Sequence, residues 1–278
     1  MYRLVNKMYF SVIVRPSADL RLRLITAFLC ALLMCVGLGA QAPTYDFYPA
    51  FRKWWFALPA EQRRTMDMVI DLYQQKLRGE GVGAGEIGRR VDLVRTKRQE
   101  LESDFWDRYF TVNPPAFLNE PNSWLVSVIE GRTPGRALDV GMGEGRNTLY
   151  LARQGWDVTG FDPAAKAVAL AEKRAKQQNL VIHTQVVLDR DFDFGHNQWD
   201  LILLSWMPVN VSAQIVEGLR PGGAVVFEGP EAWFPKNGLL TNFESLRIVR
   251  YEDQPRKADY FDGNTIPVVR LLAEKPAN

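Results

Sequence analysis

The chain has 278 residues with 34 basic and 32 acidic side chains, 47% hydrophobic residues, two cysteines and two histidines. Both cysteines, Cys30 and Cys35, fall in an apolar N-terminal run, so the body has no thiol for a disulfide or a thiolate metal cluster. Residues 1–42 hold five basic and one acidic side chain, which leaves the body at −2 and gives nucleic-acid binding no electrostatic support.

Arg15, Arg21 and Arg23 precede an uncharged apolar run over residues 24–39, followed by Ala40-Gln41-Ala42, the anatomy of an export signal. The run nearly reaches the length of a membrane span, and Pro43 hinders cleavage after Ala42. Residues 1–42 therefore read as a signal peptide or a membrane anchor, with membrane association through residues 24–40. Basic residues ahead of the run favour a body outside the membrane. A misassigned start or misread leader is the alternative and leaves the body cytoplasmic.

Residues 43–112 read as a helical N-terminal segment. Met66, Val69, Tyr73 and Leu77, then Ile87, Val91, Val94, Leu101 and Phe105, fall at helical spacing and predict two amphipathic helices broken at Gly79-Glu80-Gly81. Arg89, Arg90, Arg95, Lys97 and Arg98 interleave with acids and read as a solvated face rather than a phosphate site. The aromatic cluster Phe47, Tyr48, Phe51, Trp54, Trp55 and Phe56 fits either a membrane interface or a buried helix face. Prolines at 114, 115 and 121 forbid a helix through the joining segment.

Residues 113–278 alternate strand and helix, which builds a parallel sheet. Strands are predicted at 137–140, 157–161, 181–187, 201–205 and 224–228, with a crossover helix over 163–178 and a turn at Pro221-Gly222-Gly223. Segments 246–251 and 268–274 form a final antiparallel pair by analogy with the family described next. The first strand ends in Asp139 and turns through Gly141, Gly143 and Gly145 into a helix, and the second ends in Asp162. Glycines permit a tight turn and close ligand approach, while an acid one βαβ unit later suits ribose hydroxyls. A dinucleotide fingerprint starting at Gly141 needs glycine where Arg146 stands. The two histidines, His183 and His196, read as surface or strand-end residues, and no metal site is expected.

The run Asp139-Val140-Gly141-Met142-Gly143-Glu144-Gly145-Arg146-Asn147 with Gly160-Phe161-Asp162 resembles motif I of the class I S-adenosylmethionine-dependent methyltransferases, nearest the tellurite-resistance and thiopurine-type small-molecule branch. In that branch cysteine commonly stands at the position of Met142, which offers mainly backbone. The resemblance implies a Rossmann-like, doubly wound, mostly parallel seven-stranded sheet with an antiparallel C-terminal strand. It also implies S-adenosyl-L-methionine as cofactor. Asp139 and the backbone of Gly141, Met142, Gly143 and Gly145 would hold its methionine part, and Asp162 followed by Pro163 its ribose. Asp189, or Asp191 if the third strand frays early, would accept from the adenine amino group. Ser205 opens a segment beside the transferring methyl, where Trp206 or Met207 would wall the pocket and Asn210 orient an acceptor; core packing explains Trp206 and Met207 equally. Phe117 and Trp124 either cover the cofactor or are core aromatics beside a stiff linker. No general base is identified.

The function this implies is methyl transfer to a small molecule. A non-catalytic nucleoside-binding envelope protein is the alternative, favoured by the conflict between an export leader and a cofactor made in the cytoplasm. An NAD-dependent oxidoreductase is opposed by Arg146.

Overall fold

The computed structural model describes residues 47–59, 62, 66–112, 120–258 and 264–277. The leader, Phe117 and the segment around it lie outside the described residues. No helix among those described is long and apolar enough to cross a membrane.

Among the described residues four helices come first: α1 (Tyr48–Ala57), α2 (Met66–Gly79), α3 (Ala84–Thr96) and α4 (Arg98–Val112). The two amphipathic helices expected over this stretch are three, α2 to α4, because the second breaks at Lys97, so that Leu101 and Phe105 belong to a helix of their own. Gly81, at φ +75°, ends α2 where the glycine cluster predicted a break. Phe51 meets Tyr73 edge-on at 4.7 Å and Trp55 stacks on Phe105 at 5.4 Å, so these two members of the aromatic cluster form a buried helix face.

Then follow α5 (Ser123–Ile129), β1 (Arg136–Val140), α6 (Arg146–Arg153), β2 (Asp157–Asp162), α7 (Ala165–Gln177) and β3 (His183–Val186). The chain closes with β4 (Trp199–Ser205), α8 (Ser212–Gly218), β5 (Leu219–Pro230), α9 (Gly238–Asn242), β6 (Arg247–Lys257) and β7 (Thr265–Glu274). The seven strands lie in the order β3-β2-β1-β4-β5-β7-β6. β1 to β5 pair in parallel, and β7 runs antiparallel between β5 and β6. This is the Rossmann-like sheet expected from the sequence. It puts the tips of β1 to β5 along one edge, where doubly wound sheets bind ligands.

Alternation along the strands fills both faces. Leu138, Val140, Ile202, Leu204, Val225 and Phe227 turn to one side, and Ala137, Leu201, Leu203, Ala224 and Val226 to the other. The turn expected at Pro221-Gly222-Gly223 is a kink within β5 instead. Gly222, at φ +80°, accompanies a register shift that pairs Trp199 with Leu219 but Leu201 with Ala224.

Candidate functional site

The strand tips open into a cavity of about 700 Å³. Its floor is the turn after β1. Gly141, Gly143 and Gly145 take φ of +70°, +53° and +80°, a region that strains any residue with a Cβ. Both Gly141 and Met142 donate their N–H to the Phe161 carbonyl at 3.0 Å, and Gly145 N–H reaches the Met142 carbonyl at 2.9 Å. A Cβ on Gly143 would meet the Phe110 ring at 3.3 Å, and one on Gly141 would meet Met207 Sδ at 3.0 Å. The loop is therefore held between α4 above and the segment after β4 at its side.

Asp162 lines this cavity and is 6% exposed. Gly143 N–H donates to its Oδ2 at 2.9 Å and Ala164 N–H to its Oδ1 at 2.8 Å. Burial pushes its carboxyl up to about 6, against the lowering effect of those two N–H groups. Met142, Pro163, Asp189 and Ser205 also line the cavity. Asp189 accepts from Asn210 Nδ2 at 3.0 Å through Oδ2, so Asn210 braces an acid at the wall. Ser205 Oγ is buried without a hydrogen-bond partner among the described residues.

Several of the residues singled out in the sequence lie off the cavity wall, Gly145 among them, since it closes the turn onto the Met142 carbonyl behind it. Asp139 sits beneath the loop rather than on the cavity wall, 1% exposed, with Thr148 Oγ1 donating to its Oδ2 at 2.6 Å. Burial lifts its carboxyl to about 6 as well. Asp191 is off the wall and faces Arg190 at 3.5 Å. Trp124 packs into the core with Leu125, Val128 and Leu201, and Arg250 lies over its ring at 4.5 Å. It is a core aromatic and does not line the cavity. His183 and His196 are exposed, beside Asp157 and Glu217.

Residues 137–223 match the family model described as a methyltransferase domain. This stretch is a methyltransferase domain, and it supports the class I superfamily that the glycine turn resembles. A 2-heptyl-1-hydroxyquinolin-4(1H)-one methyltransferase of Mycobacteroides abscessus is 32% identical over 133 residues, which cover 44% of this chain and 59% of that one. A ubiquinone biosynthesis O-methyltransferase of Acinetobacter baumannii is 28% identical over 147 residues, 49% of this chain and 62% of the relative. The chain thus spans about three fifths of the curated relatives it matches. A structure solved for the conversion of a disulfide bond into a thioacetal group in echinomycin biosynthesis has a TM-score of 0.52 at 18% identity. The match covers 63% of this chain and 94% of that one and shares the fold.

The methyltransferase domain is roofed by residues that the sequence did not mark as a site. Trp55, Met66, Phe105, Trp106 and Phe110 line the cavity from the N-terminal helices, as do Arg98 and Glu102. Arg98 Nε binds Glu102 at 2.6 Å, and Arg190 approaches the same carboxylate at 3.5 Å. Arg98 is thus a wall residue, while Arg89 and Arg90 pair with Glu86 at the helix surface as a solvated face would. α4 is tied to the strand tips at two further points. Lys166 N–H donates to Asp107 Oδ1 at 2.8 Å, and Leu188 N–H to Gln99 Oε1 at 3.2 Å. The helical spacing of Phe105 marked a buried face, but its destination over the glycine turn had no local signature.

Proposed function

We propose that the cavity binds S-adenosyl-L-methionine and that the protein methylates a small, largely apolar acceptor at a hydroxyl group. The observation that carries this reading is Asp162. Each of its oxygens is oriented by one backbone N–H, which leaves a lone pair on each for a ribose diol. A cavity of about 700 Å³ over a glycine floor suits a ligand of nucleoside size. The relatives' names, both methyltransferases and one acting on a hydroxyquinolone, support the hydroxyl class.

The cofactor, when bound, supplies a methyl group already activated on a sulfonium. Asp162 would accept from the ribose and Asp189, braced by Asn210, from the adenine amino group. Backbone at Gly141 to Gly145 would lie under the amino-acid part, with Asp139 holding the turn from below. Phe110 and Met207 pack apolar side chains against that floor, and an apolar surround favours neutralisation of charge during attack. Trp55, Phe105 and Trp106 offer an aromatic wall for the acceptor, with Trp106 edge-on to Phe105. The titratable side chains of the described wall are carboxylates and arginines, so positioning is the main means the chain offers.

Calorimetry with S-adenosylhomocysteine and with NADH tests the reading. Micromolar or tighter binding of the first alone supports it, and binding of NADH alone refutes it. Hydroxylated heteroaromatics then serve as trial acceptors, with S-adenosylhomocysteine release as readout. Export or anchoring through residues 1–42 is part of the proposal. A compartment-sensitive reporter fused after Asn278 distinguishes it from a cytoplasmic body.

A further inference from the structure

Trp55 brings a polar atom to an aromatic stretch of the cavity wall. It lines the cavity from α1 beside Met66, Phe105 and Trp106, and it is 3% exposed. Its ring stacks with Phe56 at 5.1 Å, with Phe105 at 5.4 Å and with Phe51 at 6.3 Å. An indole whose faces serve neighbouring rings presents its edge to a ligand, and the edge carries the Nε1 N–H. That nitrogen is buried with no hydrogen-bond partner among the described residues. A buried donor in this state calls for an explanation, and a ligand oxygen supplies one.

The surroundings narrow the kind of oxygen. A carboxylate placed there would be a charge without a counter-ion. The cation that the helices bring to this wall, Arg98, is already engaged by two acids, Glu102 at 2.6 Å and Asp67 at 3.3 Å. A hydroxyl would satisfy the indole but bring a second donor into an apolar wall. A carbonyl oxygen accepts without donating and carries no net charge.

Resting on the function proposed above, we infer that Trp55 selects methyl acceptors that carry a carbonyl oxygen in addition to the hydroxyl that is methylated. The indole N–H receives the carbonyl, and Phe105 and Trp106 receive the ring that bears it. Trp55 acts on specificity rather than on the chemical step. A substrate without the carbonyl leaves the N–H buried and unpaired, and the loss falls on binding.

The test sets 5- and 7-hydroxy-1-tetralone against the two tetrahydronaphthols that lack only the ketone. S-adenosylhomocysteine release gives kcat and KM, and calorimetry on the S-adenosylhomocysteine complex gives affinity. Wild-type protein is expected to prefer at least one ketone over its partner by about tenfold, chiefly through KM. Trp55→Phe keeps a ring and removes the N–H, and should bring that ratio to within twofold of one. Should the variant melt early, wild-type protein carrying nitrogen-15 tryptophan serves instead. One indole N–H resonance should then move downfield with the ketone and stay in place with the tetrahydronaphthol. No preference in the wild type, a preference that survives Trp55→Phe, or binding of none of the four compounds would overturn the carbonyl assignment. Protein that binds S-adenosylhomocysteine but shows no ketone preference loses this inference alone, whereas protein that does not bind S-adenosylhomocysteine loses the proposed function with it.

Discussion

The Gly143 N–H and the Asp162 carboxylate are joined at 2.9 Å, so the floor of the cavity and the acid at its wall are one unit. A loop that must take φ of +53° is pinned by the same carboxylate proposed to hold the ribose. Replacing Asp162 by Ala should therefore weaken S-adenosylhomocysteine by about 1.5–3 kcal/mol for each charged hydrogen bond lost, roughly ten- to a hundredfold. Calorimetry on protein shown to be folded by its melting curve reads this. An unchanged dissociation constant counts against the ribose assignment.

The lifted Asp162 carboxyl also sets a pH limit on binding. Its carboxyl is raised to about 6 by burial, and hydroxyl donors require the ionised form. Affinity for S-adenosylhomocysteine is expected to be flat above pH 7 and to fall about tenfold per pH unit well below 6. A flat profile down to pH 5 would contradict it.

Asp139 gives a stability prediction of opposite sense to an ordinary salt-bridged acid. Burial raises its carboxyl from the ordinary 3.8 to about 6, so the folded state holds the proton more tightly than the unfolded one. The stability this adds is full below pH 3.8 and is lost as pH rises through about 6. Asn at this position does not titrate. Asp139→Asn should therefore gain on the wild type between pH 3.5 and 7.5, by at most about 3 kcal/mol for a shift of this size. Denaturant unfolding at both pH values measures the gain, and parallel curves would exclude it.

Asp189 and Asp191 should separate cleanly. Asp189 stands at the wall with Asn210, whereas Asp191 faces Arg190 outside it. Asp189→Ala is expected to weaken S-adenosylhomocysteine and methylthioadenosine alike by about tenfold, the value of one charged hydrogen bond. Asp191→Ala should leave both within twofold. Reversal of that ranking would move the adenine site to Asp191.

Local patterns carried much of this in the sequence. The glycine turn is written in consecutive residues, Asp162 lies one βαβ unit on, and the strands announce themselves by apolar runs. What escaped depends on distance along the chain. Asn122 and Glu228 are 106 residues apart and meet only because α5 returns beside β5. Trp124 shows the same limit from the other side. Its position after a proline-rich segment left a cover and a core aromatic both open, and its helix turns it into the core beneath Arg250. Arg98 belongs to a run of charges that reads as solvated, and the break at Lys97 brings it to the cavity wall instead.

Asp107 and Gln99 fasten the roof helix to backbone N–H groups at the start of α7 and just past β3, beside the acids proposed to hold the nucleoside. Acceptor preference and cofactor grip are consequently not separable modules in this architecture. Grafting the helical segment of a relative onto this sheet, as a way of importing a new substrate range, would disturb nucleoside affinity in the same stroke unless both fasteners were transplanted with it.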